Sequence, residues 1–180
     1  MVGDSVHVME RFCALLALVA GGGAIALVIA RFLPAGAALI DAVRPVRLWL
    51  AWLVAAVAMA GSLYFSESAH FVPCKMCWYQ RIAMYPLAVL LLIAALRRDS
   101  SIRRYAVPLA AIGALISTYH YVIEWRPSLS KGVCDISLPC SFVWFRQFGF
   151  VSLPLMALCG FAAIVALLTL GEAESQTPND

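Results

Sequence analysis

Charge is missing from long stretches of the chain, and those stretches set its architecture. Residues 12–30, 48–66 and 105–123 each run for 19 residues without Asp, Glu, Lys or Arg, and residues 147–171 run for 25. Residues 78–96 form another such run, broken only by Arg81. A helix needs about 20 predominantly apolar residues to cross the hydrocarbon core of a bilayer. The pattern therefore predicts five spanning helices. The longest gap, 124–146, has 23 residues, so no soluble domain has room to fold between the spans.

Composition agrees. The chain is 63% hydrophobic and 13% charged over 180 residues, whereas a soluble domain is about 45–50% apolar and 25% charged. The expected fold class is all-α, an integral membrane four-helix bundle with an additional N-terminal transmembrane helix. Residues 1–45 form an N-terminal extension carrying the extra span, 46–171 the four-helix domain, and 172–180 a disordered polar tail. A signal sequence is the alternative for the first run. It contains Gly21-Gly22-Gly23, but it is longer than a usual signal core and Arg31 follows it directly.

Positive charge orients the chain. Arg97, Arg98, Arg103 and Arg104 crowd the loop between the third and fourth runs, which marks it as cytoplasmic. Arg31, Arg44 and Arg47 fall on the same side by alternation. The tail without Lys or Arg, and Arg126, Lys131 and Arg146 in the opposite loop, fit less well. The net charge of +3 says little about partners, and no basic run with interleaved aromatics points to nucleic acid.

Six cysteines are present. Cys13 and Cys159 lie inside apolar runs and read as small hydrophobes. The orientation places the others, Cys74/Cys77 and Cys134/Cys140, together outside the cytoplasm, where an oxidising compartment favours disulfides. Pro73 precedes Cys74, so the C-x-x-C pair is expected in the first turn of a helix. Unpaired N–H groups and the helix dipole there favour a thiolate, the species that attacks disulfides.

Arg81 stands four residues after Cys77, on the same helix face. An arginine at this depth snorkels to the interface, or else it stabilises a thiolate or a reduced anionic cofactor beside Cys77. His120, at the outer end of the fourth run, is either a packed histidine or a hydrogen-bonding partner for a carbonyl-bearing ligand. Tyr119 and Tyr121 read as interfacial belt residues. Gly132 and Pro139 mark the Cys134–Cys140 segment as turn-rich. Two other readings remain open: a four-thiolate zinc site on Cys74, Cys77, Cys134 and Cys140, and a non-catalytic subunit stapled by two disulfides.

The segment Cys74-x-x-Cys77-Trp-Tyr-Gln-Arg81 resembles the signature of the DsbB family of membrane disulfide oxidoreductases. The short spacing of Cys134 and Cys140 looks most like its compact BdbC-type branch. The Tyr119-His120 segment is similar to the family's quinone-associated histidine segment. The resemblance covers roughly residues 46–170. Vitamin K epoxide reductase-type enzymes present a similar pair, but late in the chain, after the loop pair.

The resemblance implies a relay in a bacterial cytoplasmic (inner) membrane. A DsbA-like thioredoxin-fold partner attacks a Cys134–Cys140 disulfide, with Cys134 the attacked sulfur by analogy. Electrons pass to a Cys74–Cys77 disulfide, and from Cys77 to a membrane quinone, ubiquinone or menaquinone, drawn from the lipid bilayer. Arg81, His120 and Cys77 are the implied quinone-binding residues, Cys74, Cys77, Cys134 and Cys140 the catalytic ones, and no metal is implied. The extra span is a departure: it puts the N-terminus outside, whereas both ends of the family's core face the cytoplasm.

Overall fold

The computed structural model describes residues 2–130, 134 and 139–170, with side chains from residue 5 onward. Its helices are α1 (Val2–Ala30), α2 (Ala37–Val43), α3 (Arg47–Leu63), α4 (Lys75–Arg97), α5 (Arg103–Trp125) and α6 (Leu153–Leu168), with short 3-10 or π turns between them. Among the described residues the sole β contact is an isolated bridge between Gln147 and Val151. The chain is a multi-pass membrane protein, with helical segments Ser5–Ala30, Pro34–Ser68, Lys75–Arg97 and Ser100–Trp125 each long and apolar enough to cross a bilayer. The tail at 172–180 and Gly132 lie outside the described residues.

The last span departs from the expected 147–171. Phe148 (φ 54°) and Gly149 (φ 79°) turn the chain back so that Gln147 pairs with Val151. The helix begins only at Leu153, where Pro154 occupies a first-turn position that needs no N–H donor. Its 16 residues extend about 24 Å, against about 30 Å of hydrocarbon. Hydropathy ran straight through a tight turn because every residue in it but Gln147 is apolar or small. The helix α2, at the arginine-rich end, was also not anticipated. Conversely, Gly21–Gly23 do not interrupt α1.

Helices α3, α4, α5 and α6 pack in a ring around Leu87, Leu91, Phe161 and Ile164, all fully buried. Small residues let the backbones approach, as packing in lipid requires. A Cβ on Gly113 of α5 would collide with the Phe161 ring of α6. Helix α1 lies outside the ring against α6, running parallel to it. At one end Gln147 donates to the buried Glu10 carboxylate (2.9 Å). At the other, Arg31 donates to the Ala166 carbonyl (2.9 Å) and the Thr169 hydroxyl (2.7 Å). Arg47 of α3, itself buried, donates to the Leu170 carbonyl at 2.6 Å. Arg31 thus satisfies a last-turn carbonyl that α6 leaves without a helical partner, and Arg47 one just beyond the helix end.

Candidate functional site

The C-x-x-C pair sits where α4 begins. Cys74 is its N-cap, in extended conformation, and its sulfur accepts the Cys77 backbone N–H at 3.3 Å. A π turn at Tyr64–Ser68 and the left-handed His70 (φ 58°) deliver the chain from α3 to this point. Both cysteines are unbonded, with their Sγ atoms 2.7 Å apart. Cys74 is buried, at 7% exposure, and Cys77 half-buried.

His120 joins this pair to the second one. Its Nε2 lies 3.6 Å from Cys74 Sγ and 3.1 Å from the Cys140 carbonyl oxygen. Its Nδ1 lies 3.2 Å from the Gln80 amide nitrogen. With that amide donating to Nδ1, the ring proton sits on Nε2, aimed at the Cys74 sulfur and the Cys140 carbonyl. Hydrogen bonding from the Cys77 thiol first, then from His120 and the Cys77 N–H, holds the Cys74 thiol down at about 4 against the upward push of burial.

Cys134 and Cys140 form a disulfide, Cα to Cα 5.8 Å. Cys140 is fully buried and Cys134 half-buried. All four cysteines pack into one small cluster with Met76, Ile116 and Ile123. The second pair is thus placed against the first, with its more accessible sulfur on Cys134.

Arg81 faces the other way. Its Nε donates to the Ser62 hydroxyl and its Nη2 to the Ser62 carbonyl, both at 2.9 Å. The guanidinium lies 5.5 Å from the Trp78 ring centroid and 6.0 Å from that of Tyr85. Nη1 makes no hydrogen bond among the described residues. Arg81, Cys77 and Gln80 line one end of an apolar cavity of about 370 Å³. Phe65, Phe71 and Trp144 roof it, with Phe71 and Trp144 stacked at 4.6 Å. His120 does not line this cavity. Its polar contacts are with Cys74, Gln80 and Cys140.

Sequence reasoning missed Gln80 and Ser62. Gln80 stood inside the quoted motif, one turn from Cys77, and that spacing was the available signal. Ser62 carried none. Tyr119 and Tyr121 donate to the Leu129 and Phe150 carbonyls, so their hydroxyls tie down the segments beyond α5. The atoms of Cys74, Cys77 and His120 lie within 4.8 Å of one another, a possible three-ligand metal set. Two thiolates on one tetrahedral zinc stand about 3.8 Å apart, wider than the 2.7 Å found. The disulfide also removes Cys134 and Cys140 from a four-thiolate site.

The family model described as "Disulfide bond formation protein DsbB" matches residues 44–171. Disulfide bond formation protein C of Bacillus subtilis (strain 168) is 44% identical over 133 residues, which cover 73% of this chain and 96% of that protein. Probable disulfide formation protein C 2 of Bacillus anthracis is 40% identical over 134 residues, 74% of this chain and 96% of the relative. Probable disulfide formation protein C 1 of the same organism is 47% identical over 118 residues, 65% of this chain and 85% of the relative. No solved structure gives a significant match.

Proposed function

The chain belongs to the DsbB family of disulfide bond formation proteins, and on that footing we propose that it reoxidises a DsbA-like thioredoxin-fold thiol oxidase outside the bacterial cytoplasmic (inner) membrane and delivers the electrons to membrane quinone. One observation carries this reading. The C-x-x-C pair has two faces, with Cys74 against His120, which itself meets the Cys140 carbonyl, and Cys77 in an apolar cavity with Arg81.

The relay balances as two-electron exchanges. A partner thiolate attacks Cys134 Sγ and Cys140 leaves as a thiolate. The partner's second thiol then displaces Cys134 and departs as a disulfide. Cys140 attacks Cys74 Sγ of an oxidised Cys74–Cys77 pair, and Cys77 leaves as a thiolate. Cys134 displaces Cys74 and restores the loop disulfide. The depressed pKa of Cys74 makes it a good leaving group in that last step. His120, with its proton on Nε2, steadies the departing Cys74 thiolate.

A quinone bound in the cavity supplies an acceptor for two electrons and two protons. The residues suit it: apolar walls for a ring and tail, and the cationic guanidinium of Arg81 lining the same cavity as Cys77. Arg81 stabilises negative charge there, and Ser62 fixes its orientation. With an acceptor bound there, the Cys77 sulfur would give up its electron pair to it and Cys74 would close on Cys77 Sγ, re-forming the first disulfide.

The deciding experiment mixes purified protein, a reduced thioredoxin-fold partner, and a ubiquinone or menaquinone analogue. Thiol-dependent loss of quinone absorbance is expected with at least one of the two. Loss with neither overturns the proposal.

A further inference from the structure

Helix α1 precedes the residues matched by the family model, and 133 residues of this chain already account for 96% of the B. subtilis relative. Yet α1 contributes Cys13, Leu16, Ala17, Val19 and Ala20 to the lining of the cavity that holds Cys77 and Arg81. It is not a loosely attached anchor. Glu10 and Arg31 fasten it at either end, and between them Gly21 lies so close to Cys159 that a Cβ there would come within 2.8 Å of its sulfur.

The cavity is built lengthwise. Cys77, Gln80, Arg81 and Ser62 stand at one end. There α1 meets α3, with Cys13 Sγ 3.6 Å from where a Cβ on Gly61 would be. Towards the bundle centre the lining residues Val19, Leu53 and Val57 are exposed, at 72%, 50% and 40%. Val57 lies five residues before Ser62 on α3, about 8 Å along the axis. The cavity thus has a polar head end and an apolar mouth facing lipid between α1 and α3. Ala17 is buried, and Ala20 packs against the core. Their small side chains leave the space open.

Resting on the quinone reading above, we propose that α1 is a wall of the acceptor site, and that Ala17 and Ala20 determine which quinone tails it admits. The head group lies by Cys77 and Arg81, and the isoprenoid chain leaves between α1 and α3.

The test uses full-length protein carrying Ala17→Phe, Ala20→Leu or, as a lipid-facing control, Leu15→Phe; Leu15 is 52% exposed and outside the cavity. Binding of a tail-less and a long-tailed quinone is read from quenching of tryptophan fluorescence, since Trp144 lines the site. Overfilling should weaken the long-tailed ligand about tenfold and the tail-less one about twofold at most. Leu15→Phe should change neither. In unmodified protein, mass spectrometry should show Cys13 alkylation slowed by the long-tailed quinone and Cys159 alkylation unaffected, a measurement that needs no variant to fold. Unchanged tail dependence in both alanine variants, or an unprotected Cys13 in protein that binds quinone, overturns the role of α1 alone. No quinone binding by the unmodified chain overturns the underlying reading as well.

Discussion

His120 Nε2 lies 3.6 Å from Cys74 Sγ, across 46 residues of sequence, and the same nitrogen reaches the Cys140 carbonyl at 3.1 Å. A single imidazole therefore contacts both cysteine pairs. In the proposed relay, the sulfur beside it acts as leaving group and then as nucleophile. Its Nδ1 is taken up by Gln80, which leaves only one nitrogen for this work.

Alkylation of Cys74 in the reduced protein should be fast and flat with pH above about 5 and slow as pH falls through about 4, where its thiolate is protonated. An unshifted thiol would instead accelerate through pH 8–9. His120→Gln should move the midpoint upward. An alkylation profile for His120→Gln identical to that of the unmodified chain would show that the imidazole does not support the thiolate.

The internal exchange step needs Cys74 and Cys140 within bonding reach. In a Cys77→Ser/Cys134→Ser double variant each pair keeps one thiol. Mild oxidation should then link Cys74 to Cys140, visible by non-reducing peptide mapping. Cross-linking of Cys74 to Cys159 instead would contradict the cluster around Met76 and Ile123.

Arg81 donates from Nε and Nη2 to Ser62, and the residue lines the cavity that also holds Cys77. Lysine keeps the charge but loses the planar fork. Arg81→Lys should lower kcat/KM for quinone about 10- to 100-fold, the range for a charged hydrogen bond. Reduction of the loop disulfide by the thiol partner in a single turnover without quinone should be unchanged. Equal losses in both assays would place Arg81 in general stability.

Gly113 faces the Phe161 ring with no room for a methyl group. Gly113→Ala should destabilise the bundle by about 1–3 kcal/mol, measured by thermal unfolding in detergent. Adding Phe161→Leu should recover part of that loss, because the obstructing ring atoms are gone. A fully additive double variant would refute the contact.

What the sequence determined by itself is local. Four runs free of charge and one broken only by Arg81 located five helices, because a bilayer admits little else. Proline before Cys74 marked the start of α4, and an i+4 interval put Arg81 on the face of Cys77. The tight turn at Phe148–Gly149 escaped notice because its residues are as apolar as the helix they precede. Tertiary structure alone decided that His120 meets Cys74, that Ser62 holds Arg81 nineteen residues away, and that α1 lies along α6 and walls the cavity. In water a polar face declares which side of a helix is outward. In lipid both the outward and the packed faces are apolar, so hydropathy leaves helix rotation and neighbours unspecified. Close-packing contacts such as Gly21 on Cys159, and polar clamps such as Arg31 on Ala166, make that choice.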